Sequence, residues 1–253
     1  MRGATNAVAD LPPGCTSVCT ASAGNFAQGL AWACRSRKPP VSCTAVVPDH
    51  APRNKIEAIQ RLGAHVKMVP FPEWWRIIET GDCSSIVAGQ FVHPCTDQRV
   101  MAGNGTIGLE IAEDLDDVSA VLVPYGGGAL ACGVAAGVKQ QHPGCRVYGC
   151  EPSTAAPLAS SFRSQRPVSV DYEPSFIDGC GGKTVLPAVW QLASGVLDGG
   201  LTATPDEAAR AVKLLLERNR VVAEGAGAVG VAIAMSGAAG RSGKVSLVDE
   251  TGQ

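Results

Sequence analysis

The sequence predicts an α/β protein built on a mainly parallel sheet. Apolar runs of strand length alternate with segments of helical period along most of the chain. Glycine-bearing turns stand where strand runs end and helical ones begin. The apolar run at 118–123 has the length and character of a strand buried on both faces. In order, the pattern reads strand at 16–20, helix at 26–37, strand at 42–47, helix at 53–62 and strand at 65–69. A poorer helix at 70–80 and a mixed stretch at 85–92 follow, then a helix at 101–115 with Ile107, Ile111 and Leu115 four residues apart. After the 118–123 strand come a helix at 129–141, a strand at 145–150 and a loop-rich stretch at 159–182. A helix from Pro205 to Arg218 with Thr204 as its N-cap, a small-residue helix at 226–235 and a strand at 244–248 complete the series.

Bulk properties bound the function. Apolar residues make up 45% of the 253 residues and charged residues 17%, the composition of a folded globular chain rather than a disordered one. The formal net charge of −2, with no basic patch, argues against nucleic acid or an anionic membrane surface as partner. No apolar run approaches the roughly 20 residues of a membrane-spanning helix, and the first residues lack the apolar core of a signal peptide. The ten cysteines form no CxxC pair, so they read as buried free thiols in a reducing, cytoplasmic setting. His50, His65, His93 and His142 are dispersed and read as surface or loop residues rather than metal ligands. Trp74-Trp75 reads as a packing patch.

Two segments carry chemistry. At Ser22-Ala23-Gly24-Asn25 a strand ends and a helix begins, which aims backbone N–H groups and a short amide at whatever meets that helix end. By itself this is also an ordinary strand-to-helix turn. Gly126-Gly127-Gly128 follows an apolar strand and precedes a helix, so several N–H groups can converge on one phosphate at the carboxyl edge of the sheet. Its spacing fits neither a dinucleotide fingerprint nor a Walker loop.

Together with Met101-Ala102-Gly103-Asn104-Gly105-Thr106 and Glu224-Gly225-Ala226-Gly227-Ala228, these segments resemble the fold-type II pyridoxal-phosphate family of serine/threonine dehydratases (threonine ammonia-lyases) and serine racemases. The order and approximate spacing of the family's motifs are kept over nearly the whole chain. The resemblance implies two domains of open twisted sheets with flanking helices, like the tryptophan synthase β subunit. Residues 10–103 would form the smaller domain and 104–253 the larger one carrying the phosphate loop, with 1–9 a remnant of the larger domain's N-terminal part. It implies pyridoxal 5′-phosphate as cofactor, with Gly126, Gly127, Gly128, Ala129 and Leu130 holding the phosphate and Asn25 bonded to the phenolic oxygen. Ser22, Ala23 and Gly24 would receive the carboxylate of a small amino-acid substrate.

Departures from the family pattern refine the expectation. Arg2-Gly3-Ala4 is similar to the end of S-F-K-x-R-G-A, whose lysine forms the Schiff base, so that lysine would precede Met1 and the chain is expected to be N-terminally truncated. No catalytic residue is assigned, and the seven lysines present lie outside that motif. Ala23 stands where the racemases have a second serine, and a methyl group cannot carry a proton, which favours elimination over racemisation. Phe26 replaces a histidine and Ala129 a fourth glycine; if position 129 needs positive φ, alanine costs about 1 kcal/mol there. Glu151-Pro152 matches the start of the family's divalent-cation loop, but Pro157 stands where an aspartate ligand is expected, so no metal is assigned. Glu250 takes the place of the serine that meets the pyridine nitrogen, and no regulatory domain is expected to follow.

The expected activity is dehydration and deamination of L-serine, L-threonine or a related β-hydroxy amino acid to a 2-oxo acid and ammonia. The alternatives are a noncatalytic or incomplete homologue that binds the cofactor without turnover, and a β-replacement synthase on the same fold. The last is disfavoured by the Ser22-Ala23-Gly24-Asn25 turn. A homo-oligomer is compatible with this reading.

Overall fold

The computed structural model describes residues 1–240 and the backbone of 244–247. The chain divides into two compact units, Met1–Gly103 and Asn104–Gln253. Each is an α/β layer structure around one parallel sheet, as the alternating pattern predicts.

In the first unit α1 (Arg2–Ala9) precedes β1 (Ser17–Ala21), α2 (Asn25–Ser36), β2 (Ser42–Pro48), α3 (Arg53–Arg61), β3 (His65–Val69), α4 (Phe71–Thr80) and β4 (Gln90–Phe91). The sheet order is β3-β2-β1-β4, all parallel, with Val18 opposite both Cys43 and Gln90. Central position explains the composition of β1 and β2: Val18, Cys19, Ala45, Val46 and Val47 are at most 1% exposed, so neither face tolerates a solvated side chain. The mixed stretch at 85–92 contributes only the two-residue β4. Helix α1 is not legible in the sequence, because no side chain caps it and its buried face is made of Gly3, Ala4, Ala7 and Val8. Small residues there let α1 lie close to α2, where a Cβ on Gly29 would stand 3.6 Å from Ala4.

Helix α5 (Gln98–Asp114) leads into the second unit, followed by β5 (Val118–Pro124), α6 (Ala129–Gln141), β6 (Arg146–Pro152), α7 (Pro157–Ser164), α8 (Pro187–Val196), β7 (Gly199–Ala203), α9 (Pro205–Leu214), α10 (Gly225–Ser236) and β8 (Lys244–Leu247). The sheet order is β7-β6-β5-β8, again all parallel. Thr204 caps α9 with a full capping box: its hydroxyl accepts from the Glu207 N–H while Glu207 accepts from the Thr204 N–H. The expected helix to Arg218 closes instead as a π-helical turn at Leu215–Asn219.

Helices α7 and α8 and strand β7 fall where the sequence reads as loop or carries no clear period. Their cause is tertiary. Strand β7 opens on two glycines because Gly200 faces the Ala159 backbone, where a Cβ would come within 2.6 Å. Helices α5 and α6 approach so closely that a Cβ on Gly137 would meet the Gly105 carbonyl at 2.2 Å, and one on Gly108 the Val134 carbonyl at 2.3 Å. Overpacking such a contact costs about 1–3 kcal/mol. Gly137→Ala should therefore lower the denaturant midpoint of the second unit, whereas Gly144→Ala, with nothing within 4 Å, should leave it unchanged.

Candidate functional site

The turn that follows β1 presents the first group of candidate residues. Ser22, Ala23 and Gly24 lead into α2, whose first residue is the exposed Asn25. The Gly24 N–H donates to the Ser22 hydroxyl at 3.3 Å, and the Gly24 carbonyl accepts from the Gln28 N–H. Gly24 has an extended φ of −106°, so its conformation does not require glycine. A Cβ there would meet nothing within 4 Å, which leaves the N-terminal end of α2 open to a ligand. Behind the turn, Thr20 is fully buried and its hydroxyl has no hydrogen-bond partner.

The second group lies in the second unit, where β5 meets α6. Tyr125 is 1% exposed; its N–H donates to the Cys150 carbonyl at 2.8 Å and its carbonyl accepts from the Gly181 N–H at 2.7 Å. The half-buried Gly126 and the exposed Gly127 then lead to Gly128, which caps α6 at φ 92°. Glycine is required at 128 twice over, by that left-handed backbone and by Val189 Cγ1 and the Tyr125 hydroxyl, 2.5 Å and 3.0 Å from where a Cβ would be. Ala129 is the first residue of α6 with ordinary helical backbone, so the cost anticipated for alanine at this place does not arise. The first N–H groups of a helix have no intrahelical acceptor. The α6 terminus therefore offers those of Ala129 and Leu130 to an anion, beside the amides of the glycine loop.

The surroundings of this loop do not follow from the sequence. The segment 179–182 supports it from below, with the Gly179 carbonyl 3.4 Å from a Cβ built on Gly126. The Gly179/Gly181/Gly182 cluster is the available signal, but it reads equally well as a flexible loop. Glu224 caps α10 through its backbone, its carbonyl accepting from Ala228. Glu250 lies outside the described residues.

Other titratable groups have structural roles. Glu151 is fully buried, and its two oxygens accept the N–H groups of Leu158 and Ala159 at 2.9 Å and 3.0 Å. His93 is a loop residue but not a surface one: at 9% exposure its Nδ1 accepts from Cys95 N–H at 3.0 Å, so Nε2–H donates to the Ile78 carbonyl. Burial lowers its pKa and keeps it neutral. The Trp74-Trp75 pair packs as expected, with Phe71 beside it and the Trp74 indole N–H on the Val46 carbonyl. All ten cysteines are free and all but Cys15 are buried. Burial pushes the Cys95 and Cys132 thiols up to about 12, which makes them inert at neutral pH. None of the six described lysines is buried; Lys139 pairs with Asp198 at 2.6 Å and Lys213 stands 3.8 Å from Glu217.

The family described as "Pyridoxal-phosphate dependent enzyme" matches residues 1–248. The chain belongs to that family. This pyridoxal-phosphate-family chain is 38% identical to the L-threonine ammonia-lyase of Thermotoga maritima over 98% of its own length. It spans only 62% of that relative's length. It is 33% identical to the catabolic L-threonine dehydratase of Escherichia coli K12, covering 94% of this chain and 72% of that one. Among solved structures, a threonine deaminase from T.th. superposes with a TM-score of 0.87 at 28% identity, covering 97% of this chain and 80% of that one. The serine racemase of Dictyostelium discoideum gives 0.81 at 29% identity, with 98% and 80% covered. The α/β fold with parallel sheets and flanking helices is thus that of fold-type II family members.

Burial raises the Glu151 carboxyl to about 8, although its two backbone N–H bonds and Arg163 pull it the other way. An unfolded glutamate titrates near about 4.3. Between those values the folded chain holds a proton that the unfolded chain has lost, so stability falls as pH rises from about 5 to about 8. Thermal melts across this range should show the fall, and Glu151→Gln should flatten it.

Proposed function

We propose that this chain is the core of a pyridoxal-phosphate-dependent ammonia-lyase acting on L-threonine or L-serine, releasing a 2-oxo acid and ammonia. The observation that carries the reading is the corner between β5 and α6: glycine amides, a left-handed Gly128 and the N-terminus of α6 stand together, which is the arrangement a dianionic phosphate would need. The relatives named threonine ammonia-lyase and threonine dehydratase supply the substrate class.

In this reading Gly126, Gly127, Gly128, Ala129 and Leu130 hold the phosphate, and Asn25 donates to the phenolic oxygen of the ring. Ser22 and Gly24 take the substrate carboxylate. The 3.3 Å bond between them is long for an N–H···O contact, so a carboxylate that accepts from both groups replaces it at little cost. When bound, the cofactor supplies the electron sink that stabilises negative charge at Cα. Ala23 offers no proton to the opposite face of Cα, which directs the reaction to β-elimination. The protein acts in the cytoplasm, on a small amino acid.

A second reading, cofactor binding without turnover, is favoured by one observation: no described lysine is buried, and two stand beside acidic partners. A lysine base and covalent anchor is a large part of catalysis in such chemistry. Borohydride trapping and 2-oxo acid release from L-threonine and L-serine separate the two. Release together with a trapped lysine supports the lyase; noncovalent binding with neither supports the second reading.

Substitutions test the ligand roles directly. Gly128→Ala should abolish binding of pyridoxine 5′-phosphate, an analogue without the aldehyde, as measured by equilibrium dialysis. Asn25→Ala, losing one hydrogen bond to the ring, should weaken it about tenfold. Unchanged affinity in Gly128→Ala would refute the cradle.

A further inference from the structure

Glu151 is a fully buried acid that the proposed chemistry does not use. It stands on β6, and its carboxyl closes the N-terminus of α7 by accepting from Leu158 and Ala159. What it fixes in this way leads to the glycine loop by two routes. The Leu158 side chain packs over Gly149, where a Cβ would meet Leu158 Cδ2 at 2.2 Å and Tyr125 Cβ at 3.2 Å. Leu158 and Tyr125 therefore share one glycine platform on β6. The second route runs through the turn before α7. The Ala155 carbonyl accepts from Gly182 N–H at 3.2 Å and lies 2.5 Å from where a Cβ on Gly181 would be. Gly181 in turn donates to the Tyr125 carbonyl at 2.7 Å. Tyr125 is the residue before the glycines, and its ring lies against Gly128.

We infer that Glu151 is a positioning residue for the phosphate-binding loop: by locking the α7 terminus it holds Leu158 and the 155–182 contacts that set Tyr125, and through Tyr125 the amides of Gly126–Leu130. The inference rests on the reading of that loop as the phosphate cradle. The packing around the route leaves no slack. Gly200 admits the Ala159 backbone and Gly181 the Ala155 carbonyl, both closer than any side chain allows, so a shift of α7 transmits rather than being absorbed. The protonated Glu151 still accepts through its hydroxyl oxygen, whereas glutamine keeps one acceptor oxygen and turns an NH2, which cannot accept, toward a backbone N–H. One of the two bonds is lost and the shape is kept.

The test uses the whole chain and two aldehyde-free probes, pyridoxine 5′-phosphate and pyridoxine, whose dissociation constants are measured by equilibrium dialysis. Glu151→Gln should weaken the phosphorylated probe about tenfold and pyridoxine less than twofold. Ile59→Ala, a cavity beneath α3 in the first unit, lowers the melting temperature without touching the route, and should leave both affinities within twofold. Gly181→Ala breaks the second route at the Ala155 carbonyl and should repeat the phosphate-selective loss if Glu151→Gln does not fold. Unchanged affinity for the phosphorylated probe in either route variant, with wild type binding it, would overturn the inference. So would an equal loss in Ile59→Ala. A wild-type chain that binds both probes alike would instead overturn the cradle reading itself.

Discussion

At the corner where β5 passes into α6 the backbone must reverse over a floor that is already full. The Tyr125 hydroxyl and Val189 fill the space under Gly128, and Gly179 and Cys180 lie under Gly126. No Cβ fits at Gly128, where a left-handed residue is also required, whereas one on Gly126 would make ordinary contact. With glycine at 126, 127 and 128 the loop carries no side chains, so its amides and the α6 terminus are what it can offer to a ligand. At Gly128 packing and binding follow from one steric constraint.

Close backbone approach is how the second unit is built in general. Aromatics are only 5% of the chain, so large side chains cannot fill gaps between layers, and small ones close them instead. Gly105, Gly108 and Gly137 bring α5 and α6 together; Gly149 and Gly200 seat α7 on β6 and β7; Gly181 seats its loop against Ala155. Where backbone meets backbone, as at Gly108, Gly137 and Gly200, such interfaces are stiff because no flexible side chain is there to deform. That stiffness is why a buried acid on β6 can govern a loop it never touches.

Much of this is legible in the residues. Strands β1, β2, β3, β5 and β6 and helices α2, α3, α6 and α9 stand within a few residues of the pattern, because apolar runs and caps are local signals. The two candidate turns are legible as strand-to-helix junctions, and their identity as a pair comes from resemblance rather than from their chemistry. What escapes is set by tertiary approach. Helix α1 has a buried face of glycine, alanine and valine with no cap; β7 begins on two glycines that local propensity assigns to a turn; α7 is held by Glu151 from another element. The strain expected at Ala129 is carried by Gly128, since a sequence match cannot locate a left-handed residue to one position. Glu151 reads in the sequence as the start of a cation loop, and the structure shows its oxygens occupied by the α7 backbone.

The most direct test of the phosphate cradle is an amide NMR titration of the chain with pyridoxine 5′-phosphate. The N–H signals of Gly126, Gly127, Gly128, Ala129 and Leu130 should shift furthest and follow a single saturation curve, with inorganic phosphate moving the same set at higher concentration. Saturable binding that leaves these five amides in place while others move would contradict it.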